Sequence, residues 1–240
     1  MAEGLCLQYR DIQHITLMFT KICLENREAI YGLLSRRNTA PDQVSSSTGS
    51  AFAVAPGILV TAAHCVFDQS DPAHPPFSDF LVIRAPDVGR PHEVASLVAF
   101  DEGTDLAILK ISSPRSQAFL RLADRPAFVG EHCGALGFPL SGVEATPSGL
   151  LHTLIERFQS AAVCACLTEG TQTLYETDSP MYPGSSGCPG FLPDGTVFGM
   201  HNRSLLHGRD SHRTCISRWV PAATIRKYLT AHDVLLSEAA

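Results

Sequence analysis

Apolar residues in this chain fall mostly in short runs broken by Gly, Pro, Asn, Asp and Ser, and only the two ends carry a helical spacing. Near the N-terminus Ile12, Ile15, Phe19, Ile22 and Cys23 recur at intervals of three and four, while Lys21, Glu25 and Arg27 break any strand alternation. This predicts a helix within residues 1–28. At the other end Ile225, Tyr228 and Leu229 share a face behind Pro221, which predicts a helix over residues 221–231. Between them strands are predicted at residues 29–34, 49–54, 58–61, 81–84, 94–99, 106–111 and 130–139. More follow at 149–158 paired with 160–167, at 174–178, at both ends of 190–199, and at 213–219. Ala55-Pro56-Gly57 reads as a hairpin turn, residues 38–48 and 67–80 as loops, and residues 120–126 as irregular chain. Many short strands with frequent turns predict an all-β protein of barrel type, with no linker leading to an independent second domain.

Composition narrows the classes. The formal net charge is -6, and no Lys/Arg block exceeds two residues, which argues against nucleic acid as a partner. The charge-free stretch of residues 45–67 is rich in Ser, Thr, Gly and Pro and does not read as a membrane span. Met1-Ala2-Glu3 is acidic where a secretory leader is basic. With eight cysteines and no leader in view, the expectation is reduced thiols and an intracellular protein. Cys164 and Cys166 share a strand face and read as core residues, and the histidines show no metal-motif spacing. The expectation is no metal and no organic cofactor.

Candidate chemistry begins at Tyr182-Pro183-Gly184-Ser185-Ser186-Gly187-Cys188-Pro189. Glycines around a serine allow unusual backbone angles and close approach of a substrate carbonyl. The N–H groups of Gly184 and Ser186 can then converge on one point, as an oxyanion hole requires. A serine hydroxyl needs a base, and His64 stands at the end of a predicted returning strand, where imidazole has a suitable pKa. Asp105, at the mouth of an apolar strand, is either a turn cap or a buried partner for something positive. His64, Asp105 and Ser186 together can form a base, orienting carboxylate and nucleophile.

Thr61-Ala62-Ala63-His64-Cys65, Thr104-Asp105-Leu106-Ala107-Ile108-Leu109 and Pro183-Gly184-Ser185-Ser186-Gly187, in that order, resemble the trypsin-like serine protease superfamily. The nearest likeness is to its HtrA/Deg and glutamyl-endopeptidase branches, to which Gly137-Phe138-Pro139 and Thr177-Asp178 are also similar. The resemblance implies two six-stranded β-barrels of chymotrypsin type with an N-terminal and a C-terminal helix. Residues 1–28 would be a helical segment and 29–240 the protease domain, with barrels at roughly 29–125 and 126–232. It implies a serine endopeptidase working through an acyl-enzyme on protein or peptide substrates, with Ser186 as nucleophile, His64 as base and Asp105 as orienting carboxylate. Gly184 and Ser186 would supply the oxyanion donors, and Pro180, Met200 and His201 would bind the substrate side chain. With Pro180 where trypsins carry an aspartate, cleavage after Lys or Arg is not expected. His201, with Arg203, Arg209, Arg213 and Arg218 near it in sequence, leaves an acidic and a small apolar preference both open. Two other classes also stay open: a catalytically silent binding module on the protease fold, and an esterase-like hydrolase on the same triad. Cys188 stands where relatives have glycine; it reads either as a small buried side chain or as a thiol open to oxidation or modification that blocks the site. The N-terminal helix can pack on the barrel or mediate self-association, with Phe19 and Ile22 as anchors.

Overall fold

A computed structural model describes residues 17–40, 43–146, 149–170, 172–207 and 214–236. Six strands close a first barrel in the order β1-β2-β3-β6-β5-β4: β1 (Ile30–Ala40), β2 (Gln43–Ala55), β3 (Ile58–Thr61), β4 (Asp79–Arg84), β5 (Glu93–Asp101) and β6 (Leu106–Ile111). Six more close a second in the order β10-β11-β14-β13-β12-β7: β7 (His132–Gly137), β10 (Arg157–Glu169), β11 (Gln172–Thr177), β12 (Pro189–Phe191), β13 (Val197–His207) and β14 (Thr214–Pro221). A hairpin of β8 (Gly142–Thr146) and β9 (Gly149–Thr153) projects from the second barrel. All the strand pairs are antiparallel. Closure leaves neither barrel with a long free edge of unpaired backbone, save where short β12 stops beside β13.

The expected all-β, two-barrel architecture is therefore the one observed, with helix at both ends. The alternation inside it follows the sequence. Leu106, Ile108 and Leu109 of β6 are fully buried with Leu59 and Phe52 in the first barrel, and Phe191, Phe198 and Trp219 fill the second. Trp219 is not left with a bare N–H: its Nε1 donates to Thr177 Oγ1 at 3.0 Å.

Several boundaries differ from the reading above. Of the residues expected to form a loop at 38–48, residues 38–40 and 43–48 belong to long arms of β1 and β2, paired from Ile30↔Phe52 out to Ala40↔Gln43. Those arms are solvated, so Ser45, Ser46, Ser47 and Thr48 carry no apolar alternation to betray them. Residues 157–169 form one strand, so Phe158 and Ser160 are not on opposite arms of a pair; β9 pairs instead with β8. β13 runs on to His207 through a polar stretch that shows no strand pattern. Cys164 and Cys166 are exposed on the outer face of β10 rather than in the core, with a bulge in the ladder at Cys164.

Residues 17–26 are helical, and we label them α1. Ile12 and Ile15 lie outside the described residues. Phe19 and Ile22 are buried against the second barrel, Phe19 with its ring 5.4 Å from that of Phe158. Both anchors thus face this chain's own barrel rather than solvent. At the far end α2 (Ala222–Ala231) buries Ile225 and Leu229. Arg226 reaches back to the Ala123 carbonyl at 2.9 Å, fixing the segment between the barrels. Phe19→Ala should lower stability by about 3 kcal/mol through lost burial and a residual cavity, read as a lower urea midpoint with an unchanged slope.

Candidate active site

His64 lies in a single 3-10 turn, Ala63–Cys65, directly after β3. Asp105 immediately precedes β6. The pairing Thr61↔Ala107 between these strands brings the two residues side by side despite their separation in sequence. His64 Nδ1 is 2.8 Å from Asp105 Oδ2 and 3.0 Å from Oδ1. The His64 main-chain N–H also donates to Oδ1 at 2.9 Å, and Ala63 N–H donates to the Asp105 carbonyl at 3.2 Å. The aspartate is thus both the cap of the histidine turn and the partner of its ring. It is held at a φ of 53°, a left-handed conformation that costs an ordinary residue about 1–2 kcal/mol.

Burial works to lower the His64 pKa. The Cys65 sulfur and the Asp105 carboxylate outweigh it, so the imidazole titrates above its usual range. The carboxylate accepts from Nδ1–H, which leaves Nε2 as the basic nitrogen.

Ser186 sits in the turn between β11 and β12, and that turn is bolted to the first barrel. Ser50 N–H donates to the Ser186 carbonyl at 2.8 Å, and Ser50 Oγ donates to the Gly184 carbonyl at 2.8 Å. The Gly187 N–H donates to the His201 carbonyl at 2.8 Å. Gly187 has a φ of 88°, and a Cβ there would stand 2.0 Å from the Ser50 carbonyl, so only glycine fits. Gly184, at a φ of 91°, packs as tightly, because a Cβ would meet the Phe138 carbonyl at 2.6 Å.

The peptide between Pro183 and Gly184 has a defined orientation. Leu140 N–H donates to the Pro183 carbonyl at 2.6 Å, and the peptide is trans. The N–H of Gly184 must therefore point away from residue 140. Among the described residues neither that N–H nor the N–H of Ser186 has an acceptor. Leu140 itself is held at a φ of 59° to present its N–H.

His64, Asp105 and Ser186 line one open cleft of about 850 Å³ between the barrels. Pro180 and His201 line it too, with Met181, Tyr182, Arg203 and Ser204. Met200 does not: it is wholly buried in the second barrel. Successive strand residues face opposite sides, so Met200 and His201 cannot both face the cleft. His201 is fully buried, its ring edge-on to Trp219 at 5.3 Å. Burial, helped by the charge of His64, pushes its pKa down to about 3, so it is a neutral imidazole. Ser204 and Ser217, which the sequence reading missed, pin the cleft wall. Ser204 Oγ donates to the Met181 carbonyl at 2.9 Å, and Ser217 Oγ accepts from Met181 N–H at 3.0 Å. Of the arginines expected near the pocket, Arg203 reaches the cleft. Arg218 is occupied by Glu176 and Glu169, and Arg209 and Arg213 lie outside the described residues. Cys188 is fully buried with its thiol pKa driven up by burial, so it is shielded from the modification its position suggested.

The family description "Trypsin-like peptidase domain" matches residues 49–200, more than half of the chain. The chain belongs to the trypsin-like peptidase family. This peptidase domain is 28% identical over 162 residues to the "Probable periplasmic serine endoprotease DegP-like" of Hahella chejuensis, covering 67% of this chain and 30% of that protein. It is 30% identical over 149 residues to the "Magnetosome formation protease MamE" of Paramagnetospirillum magneticum, covering 60% of this chain and 18% of that protein. The chain spans about 30% of the length of the DegP-like relatives it matches. The solved serine endoprotease from Yersinia pestis superposes with a TM-score of 0.66 at 19% identity, covering 89% of this chain and 66% of that one, which establishes the fold. The expectation of an intracellular protein is overturned by these relatives, whose names place them in the periplasm.

The site geometry sets a testable titration. By NMR of ring protons, the His64 imidazole should titrate above pH 6.5, and Asp105→Asn should move its midpoint down. A midpoint at or below 6.5 in the unaltered protein would contradict the ion-pair account.

Proposed function

We propose that this domain is a serine endopeptidase that cleaves protein or peptide substrates through an acyl-enzyme, outside the cytoplasm as its DegP-like relatives are named to be. Residues 29–240 would form the protease domain. The observation that carries this reading is the His64–Asp105 pair, hydrogen-bonded in the geometry of a general base and opening onto the cleft that Ser186 lines. In this reading Ser186 Oγ attacks the scissile carbonyl while His64 Nε2 takes its proton. Asp105 keeps the imidazole in the right tautomer and stabilises the imidazolium. The N–H groups of Gly184 and Ser186 receive the developing oxyanion, with the Pro183 carbonyl tied back to Leu140. His64 then returns its proton to the leaving amine, and water reverses the sequence on the ester.

A peptide rather than a small ester is favoured by the edge of β13. Short β12 covers β13 only as far as Met200. Over residues 202–204 β13 lines the cleft, and among the described residues that edge has no strand partner, which suits an extended chain adding as one more strand. The substrate residue at the scissile bond then points toward Pro180, Met181, His201 and Ser204. With His201 neutral and two of those residues apolar, the pocket suits a small or medium apolar side chain better than a carboxylate.

A fluorophosphonate probe should label the purified domain, and Ser186→Ala should abolish labelling. The same substitution should reduce kcat/KM by a factor on the order of 10⁴ to 10⁶. Absence of labelling would favour a silent binding module on this fold. A peptide library should show cleavage after small or medium apolar residues, and cleavage confined to Glu and Asp would refute that pocket reading.

A further inference from the structure

The two barrels touch a second time, above the cleft. Gln172, the first residue of β11, extends its side chain to the opposite rim, where its Nε2 donates to the Gly103 carbonyl at 2.6 Å. Gln172 and Gly103 both line the cleft that holds His64 and Ser186. The acceptor side is rigid: Asp101 Oδ1 takes the Gly103 N–H at 3.1 Å, and Oδ2 takes Thr104 N–H at 3.1 Å and Thr104 Oγ1 at 2.6 Å. The donor side is the amide of a half-buried side chain two residues after Gly170, whose φ is 63°. A hydrogen bond in such a place adds little to stability, because water offers both groups a replacement.

Its position relative to a bound peptide is what matters. The cleft that a chain pairing with β13 would occupy is lined by Arg203 and Ser204 of the second barrel and by His64, Phe67, Glu102 and Gly103 of the first. Side chains alternate along an extended strand. If the residue at the scissile bond enters the pocket of Met181, His201 and Ser204, the residue before it turns toward the first barrel's part of the lining. The Gln172 amide is bonded to the Gly103 carbonyl of that part.

We propose that the Gln172–Gly103 hydrogen bond roofs the site for the substrate residue preceding the cleaved one, and that Gln172 thereby selects a small side chain there. A large side chain must break the bond and swing Gln172 aside, whereas glycine, alanine or serine passes beneath it. This rests on the proteolytic reading, and the test separates the two.

The domain is titrated with peptidyl fluorophosphonates that carry one apolar residue at the reactive position and either alanine or phenylalanine before it. The smallest alkyl fluorophosphonate serves as the reference. The unaltered domain should react faster with the alanine probe, and Gln172→Ala should shrink the alanine-to-phenylalanine ratio by about three- to tenfold, the worth of one hydrogen bond. Gln172→Glu keeps the side chain's size but sets a carboxylate against a carbonyl oxygen, and it should shrink the ratio likewise. A ratio unchanged in both variants, with reference labelling intact, overturns the roof alone. A ratio changed by Gln172→Ala but kept by Gln172→Glu assigns the selection to bulk and overturns the hydrogen bond's part in it. Failure of the reference probe to label any form overturns the proteolytic reading and the roof with it.

Discussion

Ser50 is the residue on which the site depends, though it touches no reacting group. It is wholly buried on β2 of the first barrel, and each of its polar atoms is used. Its N–H holds the Ser186 carbonyl and its Oγ holds the Gly184 carbonyl. The same Oγ accepts from Phe138 N–H at 3.0 Å, and its carbonyl accepts from Thr61 Oγ1 at 2.7 Å. One small side chain therefore joins the nucleophile turn, the end of β7 and the strand leading to His64. Each of these groups would cost roughly 1–3 kcal/mol if left buried and unpaired. That penalty forces the two barrels into one relative placement. His64 and Asp105 come from the first barrel and Ser186 from the second, so their meeting in one cleft is a consequence of satisfying buried main-chain groups rather than of attraction between the side chains themselves.

The same logic explains the strained residues. Asp105 and Leu140 both adopt left-handed backbone angles without being glycine. Asp105 gains by bringing its carboxylate onto both nitrogens of His64, main chain and ring. Leu140 gains by presenting an N–H to the Pro183 carbonyl. In each case a local conformational cost is offset by a hydrogen bond that orients a group for chemistry, which is where such strain is expected to collect.

Much of this was legible in the chain. The turn around Ser186 announced itself because glycine is required at 184 and 187, and that requirement leaves a mark in sequence. His64 and Asp105 were legible because each abuts a short, nearly continuous apolar run, residues 58–60 before one and 106–109 after the other. Ser50 was not, because a buried serine whose hydroxyl partners, Gly184 and Phe138, lie 134 and 88 residues away looks like any other serine in a strand. Met200 and His201 are adjacent on β13, and the period of two lets only one of them face the pocket. Cys164 and Cys166 have the residue type of a core but stand on the outer face of a barrel strand, and type alone does not mark the face.

The Ser50 and Gln172 connections between the barrels differ in kind, one buried and the other at the rim. Ser50 works in a dry interior, where losing a hydrogen bond leaves nothing in its place. Gln172 works at the surface, where water competes for both ends. The first link cannot open without loss of the site, and the second opens at little expense. A cleft built this way keeps His64, Asp105 and Ser186 in fixed relation while the distance between its upper rims adjusts to what lies between them. Selectivity set at the rim can then change by substitution of one half-buried rim residue without disturbing the buried contacts on which catalysis would depend. That separation follows from where the two hydrogen bonds sit relative to water.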